Sequence, residues 1–328
     1  MTTITVLGAG GFIGSAVVAA LSARDIDLRL VARRPLEPPV GAVATVTTHV
    51  VDVTEPEALS PVLLGSDMVV HLVKHSGDWR LADTDPATEA VNVDVMRTVV
   101  DTFAGRDETP LVVWTGTVGQ VGVTPSHPMD GSEPDDPRDG YDQQKLAAER
   151  ILLDGHAAGA VRGVSLRLAT IFGQRRGGPA DAGVVVSMAR RAMAGEPLTM
   201  WGDGSVRRDL LYVDDLVGAI LAAIDNPHGL VGRHWVLGSG EEWSLREIFT
   251  AVANAVSVHT GRTAVPVTAV APPPNTSAGD ARDVLIDPGP FRRASGWAPR
   301  VPPGEGIDRT VAVLVETLAV AERPLEGT

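Results

Sequence analysis

Cysteine is absent from this chain of 328 residues. Its absence excludes disulfide bonds, zinc sites built on thiolates and any catalytic cysteine, and it suits a protein of the reducing cytoplasm. Basic residues are scarce as well, since 28 lysines and arginines face 41 aspartates and glutamates, for a net charge of −13. That balance has the wrong sign for a general nucleic-acid binder, so local arginines must hold any anionic ligand.

Long apolar runs are also missing. Runs such as Met68–Leu72 are far shorter than the ~18 residues that a membrane span requires, and no basic segment precedes an apolar stretch at Met1. We therefore expect a cytoplasmic protein with no membrane partner. The hydrophobic fraction of 44% still allows a large core, and the length suits two lobes or one large α/β unit.

Short runs rich in valine, isoleucine and leucine alternate with longer helical patterns. The hydrophobicity of these runs is mainly continuous and not alternating, which is typical of parallel strands covered by helices on both faces. The sequence thus predicts a doubly wound parallel α/β sheet. The predicted strands are Ile4–Leu7, Leu28–Val31, Val46–Val51, Met68–Val73, Leu111–Trp114 and Val164–Leu168, and the predicted helices are Phe12–Ala23, Ala87–Phe103 and Gln143–His156.

The strand and helix pattern loosens after Phe172. We predict one domain at residues 1–172, with returning segments around residues 207–238, and a second, smaller lobe that occupies most of residues 173–328. Within that lobe the predicted features are a helix at Val184–Ala194, a proline-rich loop at Pro272–Asp280 and a frayed tail at Ala321–Thr328.

Glycines stand where the first predicted strand turns into a helix, at Gly8, Gly11 and Gly14. Glycine permits a tight turn and lets a pyrophosphate approach the backbone N–H groups at the helix N-terminus. A purely structural turn is the alternative, but the strand before and the helix after it favour a dinucleotide site. Phe12 and Ile13 lie within the same turn and are included among the expected cofactor contacts.

The acid that usually follows such a turn by ~20 residues, where it binds the ribose hydroxyls, is missing. Arg33 and Arg34 occupy that place, and two guanidinium groups suit a 2′-phosphate. We predict NADP(H) in preference to NAD(H), with a pair of solvated arginines as the alternative. Asp52 and Val53 are expected at the adenine, although Asp52 would equally suit a helix N-cap, and Leu72 is a further expected cofactor contact.

Tyr141 and Lys145 are four residues apart in a chain that has only two tyrosines and two lysines. Residues at that spacing share one face of a helix, so the ammonium would lie beside the phenol and lower its pKa from ~10 towards neutrality. Such a phenol can exchange a proton with a carbonyl or carbinol oxygen. A surface Tyr–Lys pair is the alternative interpretation.

These motifs, together with Trp114-Thr115-Gly116-Thr117, resemble the extended short-chain dehydrogenase/reductases, the NAD-dependent epimerase/dehydratase family. The resemblance extends to Arg208-Asp209-Leu210-Leu211-Tyr212-Val213-Asp214-Asp215 and to Trp297-Ala298-Pro299-Arg300. It implies a Rossmann-type fold with a nucleotide-sugar lobe. It also implies that Thr117, or less favourably Thr115, polarises the substrate oxygen, that Tyr141 is the acid/base, and that Lys145 supports Tyr141 and holds the nicotinamide ribose.

Absences narrow the choice of activity within the family. Val118-Gly119 follow Thr117 where nucleotide-sugar dehydratases carry an Asp-Glu pair, and the Cys/His pair of epimerase-reductases cannot exist here. Three strings, at residues 85–93, 195–201 and 206–211, resemble those of the dTDP-4-keto-6-deoxyhexose 4-ketoreductases of actinobacterial antibiotic pathways. This resemblance implies NADPH-dependent reduction of a C4 ketone. The alternatives are a 4-epimerase, which the two arginines disfavour, a carbonyl reductase for another substrate, and a non-catalytic NADP(H) sensor.

The resemblance also indicates where the dTDP-sugar would bind. It places Met200 and Trp201 at the nucleotide base, Arg208 and Arg282 at the diphosphate, and His75 near the sugar. Trp79 and Arg80 either close over the sugar or pack their loop, His71 is expected in the core, and no spacing of side chains predicts a metal site. A homodimer through the two long helices of the first domain is the family expectation.

Overall fold

The computed structural model describes residues 1–123, 128–175, 177–179, 183–272 and 278–321. Its strands are β1 Thr3–Leu7, β2 Asp27–Ala32, β3 Thr45–Val50, β4 Met68–His71, β5 Leu111–Thr117, β6 Arg162–Leu168, β7 Thr170–Phe172, β8 Leu198–Trp201, β9 Arg207–Tyr212, β10 Arg233–Leu237, β11 Glu242–Ser244 and β12 Val267–Val270.

The α-helices are α1 Phe12–Leu21, α2 Pro56–Leu63, α3 Ala87–Glu89, α4 Val95–Phe103, α5 Gly140–Ala157, α6 Val184–Met193, α7 Val213–Asp225, α8 Leu245–Thr260, α9 Ala278–Ala281, α10 Gly289–Ser295 and α11 Pro303–Ala321. A π-helical turn, Ala90–Asp94, joins α3 to α4, and 3₁₀ turns lie at Trp79–Asp83, Val118–Val121 and Pro227–Gly229. None of the helices in the described part of the chain has the length and apolar character to cross a membrane.

Seven parallel strands form the main sheet, in the order β10-β6-β5-β4-β1-β2-β3. The strand order reverses at β1, so a crevice opens beside β1 and β4 at the carboxyl ends of the strands, which is where ligands bind in such sheets. Side chains of α1 and α7 pack in the apolar cluster of one face, and those of α2, α4 and α5 in the cluster of the other. The predicted doubly wound sheet is thereby confirmed.

The six predicted strands and three predicted helices all exist, with shifted ends. Helix α5 begins at Gly140, because the Asp139 carboxylate caps it by accepting the Asp142 N–H at 3.0 Å. The predicted helix Ala87–Phe103 is helical throughout but contains the π turn. Strand β10 was not predicted; it comes from far along the chain and pairs with β6.

The remaining strands form a three-stranded sheet, β11-β9-β7, and the pair β12-β8, against which α8 packs. Helix α6 confirms the predicted helix and ends one residue earlier. The loop predicted at Pro272–Asp280 is wrong for residues 278–280, which form α9, and the Arg208 guanidinium fixes this turn by donating to the Asp280 carbonyl at 2.6 Å. Residues 273–277 and the tail at residues 322–328 lie outside the described residues.

Candidate active site

The glycine turn between β1 and α1 is shaped for a ligand that approaches the backbone. Gly8 has φ +81°, and a Cβ on Gly14 would lie 2.0 Å from the Gly8 carbonyl oxygen. The N–H groups of Gly8 and Ala9 donate to the Val31 carbonyl, and Gly11 occupies the N-cap position of α1 without a side-chain cap. Uncapped N–H groups at a helix start attract an anion, so the turn fits a dinucleotide pyrophosphate.

Two exposed arginines follow β2 at the same edge of the sheet. Arg33 and Arg34 come directly after Ala32, and Asp52 and Val53 follow the neighbouring strand β3. The Asp52 carboxylate accepts hydrogen bonds from the Thr54 hydroxyl at 2.7 Å and the Thr54 N–H at 3.1 Å, and these bonds lower the pKa of Asp52. Asp52 therefore caps this turn, whereas Glu55 occupies the N-cap position of α2.

Lys145 lies one helical turn after Tyr141 and is buried at the carboxyl end of β5. Its Nζ is 5.9 Å from the centre of the Tyr141 ring and 4.7 Å from that of Trp114, and it donates to the Thr115 carbonyl at 2.9 Å. Burial lowers the pKa of Lys145 to about 7, and the charge of Lys74 adds to the effect. The structure therefore brings the predicted Tyr–Lys pair to one face of α5.

The environment of Tyr141 differs from the expected one. Burial raises the pKa of its phenol above the ordinary value, and the charges of Asp142 and Asp139 raise it further. The prediction that Lys145 brings this pKa towards neutrality is wrong for the protein on its own, because the lysine directs a hydrogen bond to a backbone carbonyl and the phenolate is poorly solvated. Tyr141 is consequently a protonated acid at neutral pH.

Thr117 is the better placed of the two candidate hydroxyl residues. It ends β5, is half-buried, and its Oγ1 accepts the Gly119 N–H at 3.0 Å while its own N–H donates to Gln120 Oε1 at 3.0 Å. Because Oγ1 accepts from Gly119, its hydroxyl proton is available for a substrate oxygen. Thr115 is only 7% exposed, and its carbonyl holds Lys145.

Asp142 was not predicted as a site residue, yet it lies against the turn that follows Thr117. A Cβ on Gly119 would be 2.0 Å from Asp142 Oδ1, and an Arg282 nitrogen is 4.0 Å from Oδ2. Burial raises the pKa of Asp142 to about 7; Asp139 adds to this rise and Arg282 opposes it. The sequence held one signal, two acids three residues apart, but that spacing indicates a helix cap and gives no sign of burial.

Asn92 is a second buried polar residue that sequence reasoning missed. It lies in the π turn, is 3% exposed, accepts the His75 N–H at 2.9 Å and donates to Gln144 Oε1 at 2.8 Å. These bonds fix the loop after β4 to α5. Helical periodicity cannot reveal a π turn, which often marks a functional position.

The loop after β4 connects the crevice to α9. His75 is half-buried, and its ring Nδ1 accepts the Gly77 N–H at 3.2 Å. The Arg80 guanidinium stacks on Trp79 with 4.2 Å to the ring centre and pairs with Asp280 at 2.7 Å. The ion pair thus joins the 3₁₀ turn at Trp79–Asp83 to α9.

The two arginines expected at a diphosphate are neighbours. Arg208 donates to the carbonyls of Asp280 and Arg282, and the Arg282 side chain donates to the Gly122 carbonyl at 3.1 Å. The alternative partners of Arg208 have other roles: the Asp209 carboxylate accepts N–H groups of residues 239, 240 and 286, and Asp214 pairs with Arg175.

The two residues expected at the nucleotide base differ in exposure. Met200 is 1% exposed and its sulfur lies against Gly204, whereas Trp201 is 37% exposed. Met200 therefore has no surface to offer a ligand in this conformation, and Trp201 has. Within the described residues, no group of three or more acidic, histidine or cysteine side chains is arranged to hold a metal ion.

A parallel sheet with a glycine turn between β1 and α1 defines a Rossmann-type dinucleotide-binding fold. Comparison with known proteins identifies its family. Residues 4–238 match the model of the NAD dependent epimerase/dehydratase family, and the chain belongs to that family.

Individual relatives differ in the activity for which they are named. The chain is 31% identical to a UDP-glucose 4-epimerase of Mycolicibacterium smegmatis over 248 residues, which is 75% of each chain. It is 27% identical to a dTDP-6-deoxy-L-talose 4-dehydrogenase (NAD(P)(+)) of Kitasatospora kifunensis, over 90% of this chain and 91% of that one. Its fold is similar to that of the UDP-glucose 4-epimerase of Thermotoga maritima with UDP-glucose, at a TM-score of 0.81, 24% identity, and coverage of 97% and 100%.

Proposed function

We propose that this protein is an NADPH-dependent reductase that converts the C4 ketone of a dTDP-4-keto-6-deoxyhexose to a hydroxyl group in deoxysugar biosynthesis. The observation that carries the proposal is the placement of Tyr141, Lys145 and Thr117 at the carboxyl edge of the sheet, the edge that also carries the glycine turn. This grouping supports chemistry at a carbonyl oxygen, and family membership supports a nucleotide sugar as the substrate.

The protonation state of Tyr141 favours reduction as the direction of the reaction. NADPH, when bound, supplies a hydride for the carbonyl carbon. The protonated phenol of Tyr141 donates its proton to the C4 oxygen, and the Thr117 hydroxyl donates a hydrogen bond that stabilises the charge developing there. The Lys145 ammonium stabilises the phenolate that remains. One hydride and one proton together would convert the ketone to a hydroxyl, balanced by the two-electron oxidation of NADPH to NADP⁺.

Charged groups support the choice of cofactor and substrate. Arg33 and Arg34 are exposed at the end of β2, where an acid would bind NAD(H), and they suit the 2′-phosphate of NADPH. Arg208 and Arg282 are proposed to hold the diphosphate and Trp201 to contact the base. A dTDP-sugar is favoured because the relative from Kitasatospora kifunensis is named for one and aligns over 90% of this chain.

The proposal extends to domain roles and assembly. Residues 1–172, with the segment 207–238, would hold the cofactor, and the rest of residues 173–328 would hold the nucleotide sugar. Strand β10 supports the returning segment because it pairs with β6 of the main sheet. We further propose a cytoplasmic homodimer that associates through α4 and α5.

Replacement of Tyr141 tests the chemistry. We expect Tyr141→Phe to lower kcat by roughly 10²–10⁴-fold, the usual contribution of general acid catalysis, with little change in the binding of NADPH. The measurement is NADPH consumption with a panel of enzymatically prepared dTDP-4-keto sugars, followed by NMR of the product. Tyr212→Phe is the matched control, since Tyr212 is the other tyrosine and packs on Phe172. Equal rates for Tyr141→Phe and the parent would disprove the assignment.

Replacement of the arginine pair tests the cofactor. We expect Arg33→Ala with Arg34→Ala to raise the KM for NADPH by at least about tenfold, since each charge-assisted hydrogen bond contributes roughly 1.5–3 kcal/mol, and to leave the KM for NADH unchanged. Arg292→Ala with Arg293→Ala, another exposed adjacent pair, is the control. A parallel change in both KM values would contradict a 2′-phosphate site.

A 4-epimerase is the second candidate, supported by the 31% identity to the epimerase of Mycolicibacterium smegmatis. An epimerase of this kind would keep NAD through extensive dialysis and interconvert nucleotide hexoses without net consumption of cofactor. A reductase would bind NADPH loosely and consume one equivalent per product. Analysis of the nucleotide released from denatured, dialysed protein distinguishes the two activities.

A further inference from the structure

His71 is the last residue of β4 and is 1% exposed, which agrees with the core position expected for it. Burial lowers the pKa of its imidazole to about 3, and the charge of Lys145 contributes. The ring is therefore neutral at physiological pH. A neutral imidazole has one nitrogen that accepts a hydrogen bond and one that carries a proton.

The backbone determines which nitrogen of His71 carries the proton. The Val73 N–H donates to Nδ1 at 3.3 Å, so Nδ1 is the acceptor and Nε2 holds the proton. Nε2 is buried and has no hydrogen-bond partner among the residues that the structure describes. A buried donor without an acceptor is costly, so this N–H requires an acceptor that is not part of the described chain.

The neighbourhood of Nε2 shows what kind of acceptor is needed. His71 is paired in register with Trp114, whose ring centre is 4.7 Å from Lys145 Nζ. The Lys145 ammonium has three N–H bonds, and in the described part of the chain only the Thr115 carbonyl accepts from it. Two donors cannot bond to each other, so a small group that accepts from both would satisfy them.

We propose that His71 is a positioning residue for Lys145, and that its Nε2–H anchors a buried water molecule whose oxygen also accepts a hydrogen bond from Lys145 Nζ. A water oxygen has two acceptor sites, and buried waters usually serve otherwise unpaired polar groups in this way. The water would stabilise the ammonium form of Lys145 beneath Tyr141. The expected effect of this water on catalysis rests on the proposed reductase function. The presence of the water and the protonation of His71 at Nε2 do not depend on that function.

Two conservative variants of His71 distinguish the effect of its Nε2–H hydrogen bond from the effect of its packing. His71→Asn keeps an acceptor at the position of Nδ1, for the Val73 N–H, and removes the donor at Nε2. His71→Gln places an amide N–H at the position of Nε2 and keeps a side chain of similar length. The titratable groups around Lys145 are His71 and Lys74 from the end of β4 and Tyr141 from α5. Neither variant changes Lys74 or Tyr141.

We expect His71→Asn to lower kcat by about threefold to tenfold, the value of one hydrogen bond, without a change in the KM for NADPH. Without the anchored water the ammonium is less stable, so the alkaline limb of the kcat/KM profile should move to lower pH by about half a unit to one unit. His71→Gln should restore most of both quantities. A loss of packing alone would affect both variants and leave the pH profile in place.

Two measurements that do not depend on catalytic activity test the proposal. Long-range ¹H–¹⁵N NMR of the labelled protein, with His71 assigned from His71→Gln, should show a ring protonated at Nε2 alone from pH 5 to 8. A high-resolution crystal structure should show a water within about 3.2 Å of both Nε2 and Nζ. A proton on Nδ1, a charged ring, or the absence of that water overturns the proposal. If no ketone is reduced but both readouts hold, only the proposed function fails.

Discussion

Tyr141 and Asp142 hold their protons more tightly than free side chains do, and in both cases the main cause is removal from water. Lys145, on the same face as Tyr141, gives up its proton more easily for the same reason. Burial thus pushes both partners of the pair towards their neutral forms. A substrate oxygen that develops negative charge between Thr117 and Tyr141 would meet a phenol with a proton to donate.

We expect the titration of Asp142 to make the free energy of unfolding depend on pH. Its pKa is about 7 in the folded chain against a usual value of 3.8, so the folded state binds more protons between those values and its stability falls as pH rises through that window. The Asp142→Asn variant lacks this titration, so its free energy of unfolding should decline less than that of the parent as the pH rises. We expect the difference to reach about 1.4 kcal/mol or more at pH 8, the value of one pKa unit. Denaturant midpoints from pH 4 to 8 measure it.

The outcome that would contradict this assignment is a constant difference in stability between Asp142→Asn and the parent across that range. The control is Asp154→Asn, which replaces an exposed acid in the last part of the same helix. Its effect on the free energy of unfolding should be the same across the range from pH 6 to 8.

Sequence reasoning could propose candidate site residues but not their environments. The placement of Tyr141 and Lys145 on one face of a helix, and of Thr117 at the end of β5, could be predicted because it reflects local geometry. The direction of the Tyr141 pKa could not, because it depends on solvent exclusion by distant segments. The burial of Asp142 against Gly119 and the bonds of Asn92 to His75 and Gln144 are likewise contacts between remote parts of the chain.

The turn from β1 into α1 requires that residue 14 is a glycine, because a side chain there would meet the backbone. A Cβ on Gly14 would lie 2.0 Å from the Gly8 carbonyl oxygen, whereas a Cβ on Gly11 would lie 3.3 Å from it. We expect Gly14→Ala to lower the free energy of unfolding by about 1–3 kcal/mol, the usual cost of overpacking, and to abolish cofactor binding. Gly11→Ala is the control and should cost much less. Thermal unfolding and NADPH titration measure both.

Comparable stability of these two variants would show that the turn relaxes and that close packing of α1 on the strand is not required. The elements around this turn were predictable because β1, β2, β4 and β5 are rich in apolar residues. The π turn at Ala90–Asp94 was not predictable, since the residues on both sides of it continue the same helical pattern.

Asp214 and Asp215 are adjacent acids at the start of α7, and only Asp215 binds the backbone of the segment that precedes α11. The Asp215 carboxylate accepts the N–H groups of Arg300 and Val301 at 3.0 and 2.9 Å, while exposed Asp214 pairs with Arg175. We expect Asp215→Ala to cost roughly 1.5–3 kcal/mol, as for lost hydrogen bonds to a charged group, and Asp214→Ala at most about 1 kcal/mol. Chemical denaturation compares them, and equal costs would contradict the anchoring role.

The pairing of β10 with β6 has a consequence for synthesis on the ribosome. Until residues 233–237 emerge, β6 presents an uncovered row of backbone donors and acceptors, and such an edge invites pairing with another nascent chain. The main sheet therefore cannot be completed while only residues before Arg233 have been made. A chain cut before Arg233 should accumulate in inclusion bodies, although it would carry the glycine turn, the tyrosine and the lysine.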